Sequence, residues 1–138
     1  MKSTKSYQYE LEFLVRDYEC DLQGIVNNAN YQHYLEHARH QFLLENGLDF
    51  AQLHADGIDL IVTRAELDYK ASLVSRDRFV VKLNIEREGN IKMVFNQDIF
   101  RIPDGKLVLS ARMIGVGIRN GRPVRPDSIE GLSKLLDE

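Results

Sequence analysis

The chain has 138 residues, 43% of them hydrophobic, which suits one globular domain over residues 1–138 and leaves no room for a second of ordinary size. A formal charge of −3 provides no basic surface of the kind nucleic acid requires, and no apolar run approaches the roughly 20 residues of a membrane helix. Cys20 is the only cysteine, so no intrachain disulfide can form, and the expected setting is the reducing cytoplasm.

In chain order, Tyr7, Tyr9, Leu11, Phe13 and Val15 alternate with Gln8, Glu10 and Glu12, the period-2 signature of a half-buried strand. A polar segment from Arg16 to Asn30 follows. From Tyr31 to Asn46 there is no Gly or Pro, and Tyr31, Leu35, Ala38 and Phe42 recur at helical spacing, which predicts one long helix with a single apolar stripe. Asn28 or Asn30 is expected to cap its start, and Gly47 to occupy the position just past its end.

Four strands are predicted after the helix: Ile58–Tyr69, Phe79–Ile85, Ile91–Ile102 and Leu107–Ile118. Ser75-Arg76-Asp77, Glu88-Gly89-Asn90 and Pro103-Asp104-Gly105 sit between them as turns, which predicts that all four are antiparallel neighbours. Asn120-Gly121 ends the last strand, and Asp127 or Ser128 caps a short helix through Leu136. One helix must then cover one face of an antiparallel sheet, and an uncovered edge strand favours pairing between two subunits.

The chemistry concentrates in Asp21-Leu-Gln-Gly24-Ile25-Val26-Asn27-Asn28-Ala-Asn30-Tyr31, just before the helix. An aspartate there supplies a nucleophile or a base toward water, and N–H groups at a helix N-terminus can stabilise an oxyanion. Gly24 permits close approach of backbone to a ligand. From the residues alone, an Asp/Asn-rich loop that only caps the helix is an equal reading.

Two further patterns have simpler readings. His33-Tyr-Leu-Glu36-His37 has the spacing of an inverted zinc-peptidase motif, but a third ligand is lacking, and a solvated helix face including His40 is the simpler reading. Cys20 beside Asp21 reads as an inert small residue rather than a nucleophile.

The run Arg16-Asp-Tyr-Glu-Cys-Asp21-Leu-Gln-Gly24-Ile-Val26, with Asn30-Tyr31 and Glu36-His-Ala-Arg39, resembles the 4-hydroxybenzoyl-CoA thioesterase family. Ala65-Glu-Leu-Asp-Tyr-Lys70 and Ser75-Arg-Asp77 look like that family's second strand and the turn after it. The resemblance implies an α+β hotdog fold: an antiparallel sheet of about five strands wrapped around one long central helix, with sheets paired across a homodimer or a homotetramer. It implies hydrolysis of acyl-CoA thioesters without a cofactor or metal, with Asp21 as nucleophile or general base and helix N-terminal amides, around Gly24 to Asn30, as the oxyanion hole.

By the same resemblance, Asn27 and Asn28 orient the thioester or the attacking water. Gly24, Ile25, Val26 and Tyr31 line the acyl site, and Thr63 and Arg64 approach it from the partner subunit. Arg87 and Lys92 meet the CoA phosphates. The Asn27-Asn28 pair is similar to a branch that includes acyl-carrier-protein thioesterases, with Ile25 standing where that branch has His. The competing classes are an acyl-carrier-protein thioesterase, an acyl-thioester dehydratase (disfavoured because the loop holds no His) and a non-catalytic acyl-CoA-binding protein.

Overall fold

The computed structural model describes residues 6–136. The elements are β1 (Tyr9–Leu14), α1 (Asn28–Glu45), α2 (Phe50–Ala55), β2 (Ile58–Tyr69), β3 (Arg78–Glu88), β4 (Lys92–Ile102), β5 (Leu107–Arg119), β6 (Arg122–Val124) and α3 (Ser133–Leu136), with single 3₁₀ turns at Asp17–Glu19 and Pro126–Ser128.

α1 forms where the apolar stripe predicts it. Tyr31, Leu35, Ala38 and Phe42 are all buried, with Tyr34 and Leu43 widening the stripe, so the helix lies with one face in the core. Its start is capped by Asn27, not by Asn28 or Asn30: the Asn27 Oδ1 accepts the Ala29 N–H at 2.9 Å, and Asn28 is already the first helical residue. Gly47 follows the C-cap Asn46, as expected. Phe13, Tyr34 and Phe79 meet in one aromatic cluster, with Phe13 stacked on Phe79 at 5.0 Å and Tyr34 at 4.7 Å from Phe79, tying β1, α1 and β3 together.

The strand order is β1-β3-β4-β5-β2, all antiparallel, with β6 added on β5. This is the helix-wrapping sheet expected from the hotdog resemblance. The β3–β4 and β4–β5 hairpins are where the turn residues predict them.

The connection from β2 to β3 is not a hairpin. β2 lies on the far edge against β5, while β3 lies beside β1. Residues 70–77 cross between the two positions, and the crossing is held by the loop before α1. The Leu73 carbonyl accepts the Val26 N–H at 2.9 Å, the Leu73 N–H donates to the Tyr31 hydroxyl at 3.0 Å, and Asp77 accepts the Val15 N–H at 2.9 Å. Leu73 itself is fully buried, so the segment is pinned by packing as well as hydrogen bonds. The local turn chemistry of Ser75-Arg-Asp77 is real, but it bends a crossover.

Two short elements have no counterpart in the predicted order. α2 is capped by Asp49, whose Oδ1 accepts the Ala51 N–H, and Phe50 and Leu53 give it an apolar side at i, i+3. β6 pairs three residues with the end of β5.

Candidate functional site

The loop before α1 is built around a buried acid that is not Asp21. Glu19 is only 7% exposed. Its Oε1 accepts the Tyr34 hydroxyl at 2.8 Å and the Arg16 N–H at 2.8 Å, and its Oε2 faces the Arg16 guanidinium at 2.8 Å. Its backbone carbonyl accepts the Asn27 N–H at 3.1 Å and the Asn30 side-chain amide at 2.8 Å. Burial alone would raise the Glu19 carboxyl; the Arg16 N–H, the Tyr34 hydroxyl and the Arg16 guanidinium outweigh it and hold the group below its ordinary value. Burial, reinforced by Glu19, pushes the Tyr34 hydroxyl up, so it stays a donor.

Glu19 thus fixes both ends of a short excursion that presents Asp21. The excursion closes on itself: the Asp21 N–H donates to the Ile25 carbonyl at 2.9 Å, and the Gly24 N–H to the Asp21 carbonyl at 3.0 Å. Gly24 has φ +81°, a conformation that side chains other than glycine rarely tolerate. Asp21 is partly exposed, and its Oδ1 accepts the Gln23 N–H at 2.9 Å.

At the helix start, Ala29 and Asn30 donate to the Asn27 side chain and carbonyl respectively. The Asn28 N–H is given no protein acceptor among the described residues. A free donor at the positive end of α1 is therefore next in sequence to Ala29, which lines a cavity.

That cavity, about 460 Å³, runs between α1 and the β2 side of the sheet. Its helix wall carries Ala29, His33, Glu36, Arg39 and His40, and its apolar wall Phe50, Leu60, Met93, Phe95 and Met113. The size and the mix of apolar wall with few polar groups are those of a small-molecule site. His33, His37 and His40 are exposed, as the sequence suggested, and His33 and His40 also border this cavity. Burial pulls His40 below the ordinary histidine value, with Arg39 and His37 acting in the same sense against Glu36, and its ring lies 4.1 Å from that of Phe50.

Gly115 lies on the sheet wall, beside a β-bulge at Thr63, where β2 shifts register against β5. A Cβ on Gly115 would come within 2.8 Å of the Ile61 carbonyl oxygen. Replacing Gly115 with Ala is expected to lower stability by about 1–3 kcal/mol, read as a fall in denaturant midpoint at unchanged m value.

The expected site residues do not all meet. Asp21, Gly24, Ile25 and Val26 share the loop, and Asn27 and Asn28 open the helix. Val26 and Tyr31 are buried, and Tyr31 is absent from the cavity wall because its hydroxyl is taken up by the crossover at Leu73. Thr63 and Arg64 are exposed on the β2 edge; Thr63 Oγ1 donates to the Ile114 carbonyl and Arg64 pairs with Glu66. Arg87 is paired with Asp127 at 3.2 Å, whereas Lys92 is exposed and adjoins the wall residue Met93. Burial pushes the Cys20 thiol up, as do Asp17, Asp21 and Glu19, which fits an unreactive thiol. Among the described residues, no group of three or more His, Cys, Asp or Glu could hold a metal ion.

The sequence model of the thioesterase-like superfamily matches residues 15–131. The chain belongs to that family. It is 38% identical over 123 residues to acyl-acyl carrier protein thioesterase ATL3 of Arabidopsis thaliana, a chloroplastic protein, covering 88% of this chain. The chain spans 65% of that relative's length, less than two thirds. It is 28% identical over 102 residues to the long-chain acyl-CoA thioesterase FadM of Escherichia coli, covering 74% of this chain and 76% of FadM.

Among solved structures, a 1,4-dihydroxy-2-naphthoyl-CoA thioesterase from Synechocystis superposes with a TM-score of 0.87 over 97% of each chain at 17% identity, a likeness of fold.

Glu19, Arg39 and α2 were not singled out as site features in the sequence. Arg39 stood inside the Glu36-His-Ala-Arg stretch, and the apolar i, i+3 pair behind Asp49 marked α2, but neither signal distinguishes a pocket wall from ordinary helix packing.

Proposed function

We propose that this chain hydrolyses acyl-CoA thioesters to the free acid and CoA. One observation carries the reading: the Asn28 N–H has no protein acceptor among the described residues, it follows the Asp21 loop, and it is next in sequence to Ala29, which lines the apolar cavity. The acyl group lies in the cavity and the thioester carbonyl oxygen faces the Asn28 N–H. Asp21 attacks the carbonyl carbon to give, once CoA leaves, a mixed anhydride that water then hydrolyses to the free acid, or it takes a proton from a water that attacks the carbonyl carbon directly. The tetrahedral oxyanion is stabilised by the Asn28 N–H and the helix dipole, the C–S bond breaks on collapse, and the CoA thiolate leaves and is protonated. Among the CoA phosphate contacts proposed from the sequence, Lys92 is the better placed, since Arg87 already has a carboxylate partner.

The carrier has a second reading. The 38% likeness to a protein named as an acyl-acyl carrier protein thioesterase favours a protein-bound acyl group. Thiol release from the same acyl group on CoA and on acyl carrier protein separates the two. Faster turnover on CoA is expected, a preference for the carrier protein would replace the CoA reading, and no release from either would overturn thioester hydrolysis.

We also propose a cytoplasmic homodimer. No helix among the described residues is long and apolar enough to cross a membrane. β2 is a twelve-residue edge strand on which Ile61 and Val62, both cavity-wall residues, remain 44% and 43% exposed. Pairing two such edges would satisfy their backbone groups and cover those side chains beside the site. Light scattering is expected to give twice the chain mass of 15.9 kDa, or a multiple of that dimer; a monomer at every concentration would refute the pairing.

A further inference from the structure

Leu73, in the crossover between β2 and β3, is bonded through both its N–H and its carbonyl to residues that flank the start of α1. The N–H donates to the Tyr31 hydroxyl at 3.0 Å, and the carbonyl accepts the Val26 N–H at 2.9 Å. All three residues are buried. Between Val26 and Tyr31 lie the cap residue Asn27 and the Asn28 N–H, which has no protein acceptor among the described residues. The two bonds therefore close residues 26–31 into a ring across Leu73, and the proposed oxyanion donor belongs to that ring.

The Asp21 excursion is set against the same segment. The Ile25 carbonyl accepts the Asp21 N–H at 2.9 Å, and Ile25 forms a β-bridge with Val74. Two consecutive crossover residues, Leu73 and Val74, are thus the frame on which the Asp21 loop and the Asn28 N–H are both mounted. Tyr31 does not line the acyl cavity. Its ring packs edge-on against Tyr34 and Tyr69, at centroid distances of 6.1 and 5.7 Å. Ring packing and the bond to Leu73 can therefore be separated by removing one oxygen.

Resting on the thioesterase reading, we infer that Tyr31 is a positioning residue: its hydroxyl, acting through Leu73, holds the Asn28 N–H in place relative to Asp21. That N–H works where charge develops on the thioester oxygen, and misplacing such a group by about 1 Å costs on the order of 10²-fold in rate. The loss falls on kcat, because the cavity that takes the acyl group keeps its wall.

The test measures kcat and KM of Tyr31→Phe beside Leu83→Ala on acetyl-, octanoyl-, palmitoyl- and benzoyl-CoA and on octanoyl-acyl carrier protein. Leu83 is fully buried in β3 opposite Tyr9 and is not on the cavity wall, so truncating it lowers stability and leaves the ring across Leu73 intact. Tyr31→Phe is expected to lose about 10- to 100-fold in kcat with KM little changed. Leu83→Ala is expected to lower the melting temperature at least as far and to keep the wild-type kcat wherever it is folded. Replacing Val26 by its α-hydroxy acid removes the N–H that Leu73 accepts, and should lower kcat in the same way. That second variant keeps the inference testable should Tyr31→Phe not fold.

Wild-type kcat in either folded clamp variant, or a loss in Tyr31→Phe confined to KM, would overturn the inference and leave the thioesterase reading standing. So would a kcat in Leu83→Ala that falls in step with its melting temperature, since the effect would then be one of general stability. No thiol release by the wild type from any of these thioesters would sink the thioesterase reading, and this inference with it.

Discussion

Asp21→Asn protein is expected to fold normally and to lose about 10²- to 10⁴-fold in kcat on acyl-CoA, the usual contribution of a positioned acid–base group. The substitution is nearly isosteric and Asp21 is partly exposed, so little packing changes. Its Oδ1 accepts the Gln23 N–H, which an asparagine oxygen can also do, and the turn closed by Gly24 uses only backbone atoms of residue 21. The asparagine neither attacks a thioester nor accepts a proton from water. The melting temperature should therefore stay within a degree or so while turnover collapses, and KM should move little if Asp21 acts mainly in the transition state. Retained turnover in a folded Asp21→Asn protein would remove this residue from the mechanism.

The second large effect is structural. Replacing Glu19 with Ala should lower stability by about 2–3 kcal/mol, because the buried Tyr34 hydroxyl and the Arg16 N–H lose their acceptor together. Activity should fall as well, since the Glu19 side chain's bonds to Tyr34 and Arg16 fix the backbone whose carbonyl meets the start of α1 and from which the Asp21 excursion begins two residues later.

The carboxyl also makes a pH prediction. Its folded value lies below the ordinary 4.5, so its network stabilises the fold above that pH, and the stabilisation is lost as pH falls through the depressed folded value. Denaturant unfolding followed from pH 6 downward should show a loss in the wild type that begins near the ordinary value. The corresponding part should be missing in Glu19→Gln, which cannot titrate. Parallel acid profiles for the two proteins would mean that the network carries no net electrostatic stabilisation.

The sequence discloses local order well and remote pairing poorly. The Tyr31–Phe42 stripe predicts α1 because a helix buried on one face writes its period into the sequence. Glu88-Gly-Asn90 and Pro103-Asp104-Gly105 predict two hairpins because a tight turn needs its own residue types. Ser75-Arg-Asp77 misleads for the same reason: it codes for a bend, and nothing in it says that β2 goes to the far edge beside β5. That placement is decided by contacts such as Leu73 with Val26 and Tyr31, which are more than 40 residues apart in sequence.

The site divides in the same way. Asp21 and Gly24 are legible because an acid, a turn glycine and a helix start are adjacent in the chain. The opposing cavity wall comes from β2, β4, β5 and α2, and the wall residue Arg39 bonds Gln97, 58 positions away.

In the proposed mechanism Asp21, the Asn28 N–H and the α1–β2 cavity act on one substrate. The most direct measurement is a crystal structure of Asp21→Asn protein with an intact acyl-CoA it cannot turn over. The acyl group is expected in the α1–β2 cavity and the thioester carbonyl oxygen within hydrogen-bond distance of the Asn28 N–H, with residue 21 facing the carbonyl carbon. A thioester bound elsewhere, or an acyl group outside that cavity, would contradict it.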